Sequence, residues 1–545
     1  MRIVGLFLWV GAVFAQQPVL TNRGAVNAAS LAPAGLPNGP IARGGIFTAF
    51  GENLGPAQSP GLSFPLSSTL GGVSLSVTQE GVVTQAFPIY VSPTQINAVM
   101  PSSVKAGLAT LRLVYQGNKS NAITIQIANS APGVFAVSSG GYGPGVVQNY
   151  VSAGNQPVNS AAAPAAPGQV VTIWGTGLGP VTFPDNVAPT AGNVAARVTV
   201  TIGGQAAAVG YSGRSPCCSG VDQIVATVPT SVPLGCWVPV TVNAGGTVSN
   251  TTTVAIAASG ATSCGDPGNP LSALVRTPGT QAYIDLERMD TVENVNTSPP
   301  ILKTMDKLYT RFYTRPSSPF NFDPYMSYPP AGACLVHQTS GDGYLAKNLR
   351  GALPAGASLS PQPTQTYNNG TQALTFSPSG SYFSSTMAAV VNSTSIAMNP
   401  LGPNATLTID PAGPNRMAIP LVMPPPPAWT RPNAIIVVPR NAPLTLAFTP
   451  GDPAAPTEIV LYSYSAFYNA TVEVQCLAPP GANTFTISAD TLSNFPATYG
   501  LLDGSYANLF IGTAGWNTAA SFSNGLAANG VAMSSNWLAQ SVVFQ

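Results

Sequence analysis

A tandem duplication constrains the fold of this chain more than any other feature. Three short motifs occur twice, in the same order and at similar spacing: Gly-Glu-Asn-Leu-Gly-Pro at 51–56 and Gly-Thr-Gly-Leu-Gly-Pro at 175–180, Gln-Ile at 95–96 and 223–224, and Ser-Asn at 120–121 and 249–250. Ordered recurrence of this kind indicates two copies of one structural module. We therefore expect two consecutive domains of the same fold, at 18–130 and 131–264.

Short runs of alternating apolar and polar residues fill both modules. Residues 73–77 in the first copy and 198–202 in the second are examples. A period of two predicts antiparallel strands with one buried face. Paired glycines at 203–204 and 245–246 follow such runs and predict tight hairpins, because glycine tolerates positive φ. Each module is therefore predicted to be an Ig-like β-sandwich.

The charge content excludes several function classes. Only 7% of the 545 residues are charged, against roughly 25% in an average soluble protein. Nineteen basic and eighteen acidic residues nearly cancel, so no basic stripe is available for phosphates and nucleic-acid binding is not expected. The length predicts three or four domains.

The N-terminus has the pattern of an export signal. Arg2 precedes an apolar run at 3–12, and small residues around Ala15 suit cleavage. The run is shorter than the roughly 20 residues that span a bilayer. We expect residues 1–15 to be a signal peptide, and the mature protein to be secreted or at the cell surface and not an integral membrane protein.

Cysteine usage agrees with export, because an even number of cysteines after a signal peptide favours disulfides. Cys334 and Cys476 are predicted to pair across the third region. The other four cysteines would form two bonds in module 2. We expect Cys217 and Cys218 to bond Cys236 and Cys264, one each and in either combination, because a bond between neighbours is strained.

The remainder of the chain differs in composition from the two modules. Glycine and proline at 265–280 predict a linker, and 281–545 is predicted to be a β-rich domain, either single or built from two coupled sandwiches. One helix is expected after Pro299 and Pro300, where apolar residues recur at helical spacing. Its apolar residues are Ile301, Leu302, Met305, Leu308, Tyr309 and Phe312.

Several motifs together resemble the paired Ig-like modules of secreted acidobacterial proteins, the Solibacter carboxy-terminal-domain family. They include Val-Asn-Ala-Ala-Ser at 26–30, Tyr-Val-Ser-Pro at 90–93, Ala-Pro-Gly-Val-Phe at 131–135, Cys-Cys-Ser-Gly-Val-Asp-Gln-Ile at 217–224 and the glycine-rich repeats above. The resemblance covers about residues 20–264. It implies an Ig-like fold, export and no known activity, and it offers no catalytic residues to transfer.

Aromatic residues after the predicted helix are the candidate ligand site. Exposed rings give sugars flat apolar platforms, and a nearby carboxylate can accept hydrogen bonds from hydroxyls. Packing of the same rings against a sheet face is the preferred alternative, because Tyr309 and Phe312 continue the apolar stripe of the predicted helix. The residues that lie off this stripe are Phe320, Phe322, Asp323, Tyr325 and Tyr328.

Catalytic and metal motifs are poorly represented. His337 is the single histidine and no Gly-x-Ser-x-Gly elbow occurs, so a surface histidine beside a disulfide is expected instead of a triad base. The glycine-rich 175–180 segment lacks a following helix and predicts a turning strand end, not a nucleotide loop. Acids at 285, 287, 290 and 293 suit a helix N-terminus better than a glycosidase pair. No metal or cofactor is expected.

These observations favour a non-catalytic scaffold or adhesion protein outside the cell, which contacts extracellular polysaccharide or other components of the cell envelope. The alternative is a secreted carbohydrate hydrolase whose catalytic unit is 281–545. Two carboxylates facing each other across a cleft in that region would distinguish the hydrolase.

Overall fold

The structure is a computed structural model that describes residues 17–293, 301–341, 358–359, 365–368, 373–376, 404–429, 436–498 and 505–545. Strands dominate these residues, and only two short helices occur among them. The prediction of a mainly β protein is therefore confirmed. The predicted signal peptide at 1–15 lies outside the described residues.

Module 1 contains ten strands in two sheets. They are β1 Val19–Asn27, β2 Ile41–Ala42, β3 Ile46–Glu52, β4 Thr69–Leu70, β5 Val73–Gln79, β6 Val82–Gln85, β7 Phe87–Val91, β8 Gln95–Val99, β9 Gly107–Tyr115 and β10 Asn118–Ala128. One sheet has the order β1-β3-β8-β7 and the other the order β2-β10-β9-β5-β4, with β6 beside β5. Their inner faces meet in one core, which includes Phe47, Leu75, Ile96 and Leu111.

Module 2 also contains ten strands, joined in a continuous sheet. They are β11 Gly133–Val134, β12 Val147–Asn149, β13 Val170–Thr176, β14 Gly192–Asn193, β15 Val198–Ile202, β16 Gln205–Arg214, β17 Asp222–Thr227, β18 Gly235–Ala244, β19 Thr247–Val248 and β20 Thr252–Ile256. Strand β16 pairs with β17 on one side and β15 on the other, with an irregularity between Val209 and Tyr211. The two halves of the sheet enclose a valine- and isoleucine-rich core.

The duplicated motifs have equivalent places in the two modules. Strands β3 and β13 both end in the glycine-rich motif, at a residue with positive φ: Asn53 (55°) in the first copy and Gly177 (94°) in the second. The following leucines, Leu54 and Leu178, are both fully buried. The prediction that 175–180 is a sharply turning strand end is confirmed. Both paired-glycine hairpins are confirmed as well, at β15–β16 and β18–β19.

The segment predicted to be a linker is packed against the protein. It contains helix α1 (Ser272–Arg276), and Leu271, Leu274 and Val275 are fully buried. These side chains join Tyr283, Tyr313 and residues of module 2 in one cluster. Residues 265–280 therefore attach module 2 to the third region.

The third region is built on a large mixed sheet. Its elements are β21 Gly279–Glu293, β22 Ile301–Arg315, β23 Cys334–Ser340, β24 Ser358–Leu359, β25 Gln365–Asn368, β26 Ala373–Phe376, β27 Asn404–Ile409, β28 Met417–Val422, β29 Ile436–Val438, β30 Leu444–Ala447, β31 Thr457–Ser465, β32 Ala470–Ala478, β33 Thr484–Ile487, α2 Ala489–Leu492, β34 Tyr506–Thr513, β35 Ala520–Phe522 and β36 Asn529–Phe544. The main order is β23-β32-β31-β34-β36-β21-β22-β24, with separate sheets β26-β25-β27-β28 and β30-β33.

The helix predicted after Pro300 is wrong. Residues 301–315 form strand β22, which pairs antiparallel with β21 along the full length of both strands. The segment contains many threonine and aromatic residues, which favour strands, and β21 offers it a partner over its entire length. The apolar residues at helical spacing therefore did not determine the secondary structure.

All six cysteines are in disulfides. Cys334 is bonded to Cys476, across the paired strands β23 and β32. Cys236 is bonded to Cys264, and Cys217 to its neighbour Cys218. The expected bonds from Cys217 and Cys218 to the other two cysteines are therefore wrong. Cys236 and Cys264 belong to the cluster around α1, whereas Cys217 and Cys218 lie in an exposed loop.

Candidate functional site

The predicted aromatic site is an internal cluster and not an exposed platform. Phe322, Tyr325 and Tyr328 are each less than a tenth exposed, and Phe320 is partly buried. The first three rings pack with Trp237 and Leu274. The interpretation of these rings as a sugar-stacking surface is therefore wrong, because their faces are covered by protein.

Asp323 organises the turn that carries these rings. Its carboxylate accepts a hydrogen bond from the Tyr325 N–H at 3.1 Å, and its own N–H donates to the Ser327 hydroxyl at 2.9 Å. Its carbonyl oxygen accepts from the N–H of Ser327 at 2.8 Å. Asp323 is fully buried, so the hydrogen-bonding role that we predicted toward a sugar is directed at the protein itself.

Two arginines of β22 neutralise the same carboxylate. The Arg311 guanidinium lies 2.7 Å from the Asp323 carboxylate, and that of Arg315 lies 3.6 Å away. Arg311 also stacks over the Tyr313 ring at 4.7 Å. Burial lowers the pKa of Arg311, but the charge and hydrogen bond of Asp323, together with Tyr313 and Tyr283, outweigh it and the net shift is upward. Both arginines hold the turn against the sheet.

Tyr328 lies at the other end of the aromatic segment. Its hydroxyl donates to Glu458 at 3.3 Å, and Gln475 donates to the other oxygen of the same carboxylate at 2.7 Å. The Tyr328 ring meets Trp516 edge-on, with centroids 5.2 Å apart. Burial, and then the Glu458 charge, raise the pKa of Tyr328 well above its usual range, so Tyr328 acts here as a neutral donor.

His337 is buried between module 2 and the third region. Its ring is 6.0 Å from that of Tyr142 and 6.1 Å from that of Phe322. Neither ring nitrogen has a hydrogen-bond partner among the described residues, and burial lowers the pKa to about 4. The expected surface histidine is therefore wrong, and the neutral ring is part of an interface.

The acidic residues that we placed before a helix lie on strand β21. Asp285 and Glu287 are buried on the same face of the strand. Asp285 accepts hydrogen bonds from Tyr283 at 3.0 Å and Ser535 at 3.4 Å. The prediction of solvated acids at a helix N-terminus is wrong for both residues, because the segment that follows is a strand. Among the described residues, no cluster of histidine, cysteine, aspartate and glutamate could hold a metal ion.

Buried hydrogen bonds join modules 1 and 2. Arg214 pairs with Asp222 inside module 2. Its guanidinium also donates to the carbonyl oxygens of Gly44 in module 1 at 2.6 Å and Gly179 at 2.9 Å. Close by, the Thr176 hydroxyl accepts from the N–H of Ile46 at 2.8 Å. These contacts are inaccessible to water and fix one module against the other.

Module 1 also contacts the third region directly. The side-chain amides of Asn38 and Gln338 exchange two hydrogen bonds, at 2.9 and 3.0 Å. The Arg23 guanidinium lies 5.4 Å above the Phe467 ring and 5.9 Å above that of Tyr468. The N-terminal module therefore folds back onto the third region and does not extend away from it.

A groove of about 940 Å³ opens where module 2, α1 and the 317–321 segment meet. Ten of the 22 residues that line it have uncharged polar side chains, and it has one carboxylate, Asp266, and one guanidinium, Arg276. Trp237 lies in its wall. The other polar side chains that line it are Asn159, Ser160, Thr253, Ser263, Asn269, Ser272, Thr277, Ser317, Ser318 and Asn321.

Hydrogen bonds hold the walls of this groove in place. Asp266 accepts from the N–H of Cys236 at 2.8 Å and from the Ser272 hydroxyl at 3.2 Å. The Ala161 N–H donates to Pro319 at 3.1 Å, so the module and the third region are linked across the groove. Sequence reasoning did not find this site, because its residues come from distant segments and carry no motif.

Comparisons with known proteins give only remote likenesses. No protein-family model matches the chain, and no curated protein matches significantly. A tetra-tandem repeat from the extending region of a large adhesion protein is similar at 10% identity, covering 96% of this chain and 99% of that chain, with a TM-score of 0.13. SGBP-B of a Bacteroides ovatus mixed-linkage glucan utilization locus, solved with a heptasaccharide, is similar at 15% identity, covering 51% of this chain and 78% of that chain, with a TM-score of 0.19.

The extracellular region of plexin A4 is similar at 17% identity over 45% of this chain, with a TM-score of 0.17, and the match spans 19% of the plexin chain. TM-scores this low carry no argument about function. In the part of the chain that the structure describes, no helix has the length and apolar character that a bilayer span needs.

Proposed function

We propose that this protein is a non-catalytic scaffold or adhesion protein outside the cell, which presents a fixed surface to polysaccharide or to other components of the cell envelope. The observation that carries the proposal is the interlocked arrangement of the three β units. Buried hydrogen bonds join module 1 to module 2, and polar and aromatic contacts join both modules to the third region. A chain built to hold its domains in one geometry is suited to presenting a surface.

Disulfide bonding supports a place outside the cytosol. Every cysteine in the chain is oxidised, a pattern that persists in oxidising compartments and is rare in the cytosol. The bond between Cys334 and Cys476 lies in the core of the large sheet, where it adds to the stability of the third region. The low charge of the chain suits a surface that meets uncharged hydroxyl groups.

The hydrolase alternative has less support. Asp323 is committed to Arg311, Glu458 accepts from Tyr328 and Gln475, and Asp285 accepts from Tyr283 and Ser535. The groove beside α1 has a single carboxylate, Asp266. A glycosidase needs two carboxyl groups on either side of the scissile bond, so this groove lacks the pair.

The experiment is sedimentation of the folded, tag-free protein with insoluble polysaccharides and with isolated cell envelopes, followed by assay of the supernatant for new reducing ends. We expect the protein to co-sediment with at least one of these materials and to release no sugar. Sugar release that rises with time and with the concentration of this protein would favour the hydrolase. A folded protein that stays in the supernatant with every material would contradict the proposal.

A further inference from the structure

We propose that the groove beside α1 binds a short segment of a neutral polysaccharide. This inference rests on the proposed function and assigns it a site, in place of the buried aromatic segment. The groove volume of about 940 Å³ falls within the range of roughly 300–1,000 Å³ that is usual for ligand sites. It is therefore large enough for several sugar rings.

The lining chemistry matches hydroxyl groups. Serine and threonine hydroxyls and asparagine amides can each donate and accept, as sugar hydroxyls do. The prolines Pro144, Pro267 and Pro319 add apolar surface, which can contact the C–H faces of sugar rings.

The two charged groups nearly cancel, which argues for a neutral ligand. Arg276 is exposed, and its guanidinium makes no hydrogen bond or ion pair to any residue that the structure describes. A guanidinium presents several donors in one plane, which suits two neighbouring hydroxyls. Asp266 offsets its charge, so the groove has no net attraction for a phosphate or an acidic sugar.

Asp266 can take part in binding without losing its structural role. Each of its oxygens accepts one hydrogen bond, from the Cys236 N–H and from Ser272, and each oxygen of a carboxylate has a second lone pair to offer. The pKa of Asp266 is raised, chiefly by burial. Because these hydrogen bonds already fix the Asp266 side chain, it loses little conformational entropy when it accepts a hydrogen bond from a sugar hydroxyl.

The groove is also rigid, and this favours binding because little conformational entropy is lost. The disulfide between Cys236 and Cys264 fixes one wall. Asn269 donates to the carbonyl oxygen of Met326 at 3.2 Å, and so ties the α1 segment to the third region. The site therefore exists only when module 2 and the third region are docked.

The test is isothermal titration calorimetry on the tag-free full chain, with hexasaccharides of β-1,4-glucose, β-1,3-glucose, β-1,4-xylose and β-1,4-mannose as probes. Ser317→Trp is the blocking variant, because Ser317 is exposed, lines the groove and makes no hydrogen bond in the described structure. Ser103→Trp, at an exposed serine of module 1 outside the groove, is the matched control. Arg276→Ala removes the free guanidinium.

We expect the wild type and Ser103→Trp to bind at least one probe equally, Ser317→Trp to bind it at least tenfold more weakly, and Arg276→Ala to bind it several-fold more weakly. Thermal unfolding should be unchanged in all three variants. If Ser317→Trp binds as tightly as the wild type, the groove is not the site, although polysaccharide contact itself survives. If the folded wild type binds none of the probes, the inference is overturned, and the scaffold function is then judged by envelope sedimentation alone.

Discussion

The side-chain amide of Asn250 hydrogen-bonds both the N–H and the carbonyl oxygen of Val134, at 2.9 and 3.0 Å. In module 1, Asn121 makes the same pair of bonds to Leu20, at 2.7 and 2.9 Å. In both copies the asparagine side chain bonds the backbone of the module's first strand, as the backbone of a neighbouring strand would. It therefore ties the first strand to a residue near the end of the module. The duplicated Ser-Asn motif therefore encodes a cross-link between strands.

Asn250→Ala should destabilise module 2 by about 2–3 kcal/mol, because it leaves buried backbone groups without partners. Asn121→Ala should cost less, since Asn121 is exposed and water can replace its amide. Urea unfolding of both variants measures the difference, with Asn118→Ala at an exposed position of β10 as the control. Equal losses for Asn250→Ala and Asn118→Ala would show that the cross-link contributes nothing.

Stability should decrease as pH falls from about 6.5 to about 4. The pKa of His337 is lowered to about 4 in the folded protein, so in this range the unfolded chain binds a proton that the folded protein does not. The loss follows from linkage and amounts to roughly 3 kcal/mol for a shift of this size. Below pH 4 the histidine is protonated in both the folded and the unfolded chain, so it causes no further loss of stability.

The experiment is urea unfolding across this pH range, with His337→Leu as the comparison. The variant should lose the part of the pH dependence that belongs to the histidine. Because His337 is the single histidine, proton NMR of tag-free protein reports its pKa without assignment. An NMR pKa near 6.5 would contradict the buried environment.

Asp323→Asn should destabilise the protein by about 3–5 kcal/mol, because it leaves buried arginine charge uncompensated. The exposed pair of Lys105 and Glu80, at 3.0 Å, provides a matched control. Glu80→Gln should change stability by less than about 1 kcal/mol. Thermal and urea unfolding distinguish the two variants. If Asp323→Asn lowered the stability as little as Glu80→Gln does, water would have to reach the Asp323 carboxylate.

The contribution of each disulfide should increase with the logarithm of the length of the loop that it closes. Replacing both Cys236 and Cys264 by alanine opens a loop of 28 residues and should cost about 3–4 kcal/mol in the loop-entropy model. Replacing both Cys217 and Cys218 opens no loop between distant residues, so its effect should be small. Denaturant unfolding measures both effects, and peptide mapping without reduction checks the pairing. A fragment containing a bond between Cys217 and Cys264 would refute the assignment.

The sequence predicted the strands of both modules because their period-two patterns and paired-glycine turns are local signals. It failed at β22, where side chains fit helical spacing by coincidence and a long partner strand decided the outcome. The sugar-platform hypothesis failed for Phe322 and Tyr328, since the residues that cover these rings come from distant segments. The groove was missed for the same reason: Asp266, Trp237 and Ser317 come together only in the folded chain.

Small-angle X-ray scattering of the tag-free protein tests the central claim, that the three β units form one fixed body. For a compact chain of 545 residues the expected radius of gyration is about 24 Å. We predict a value close to this, with a bell-shaped Kratky plot that does not change with salt concentration. A radius of gyration well above about 30 Å, with a Kratky plot that fails to return to baseline, would show modules strung on flexible linkers and would contradict the account.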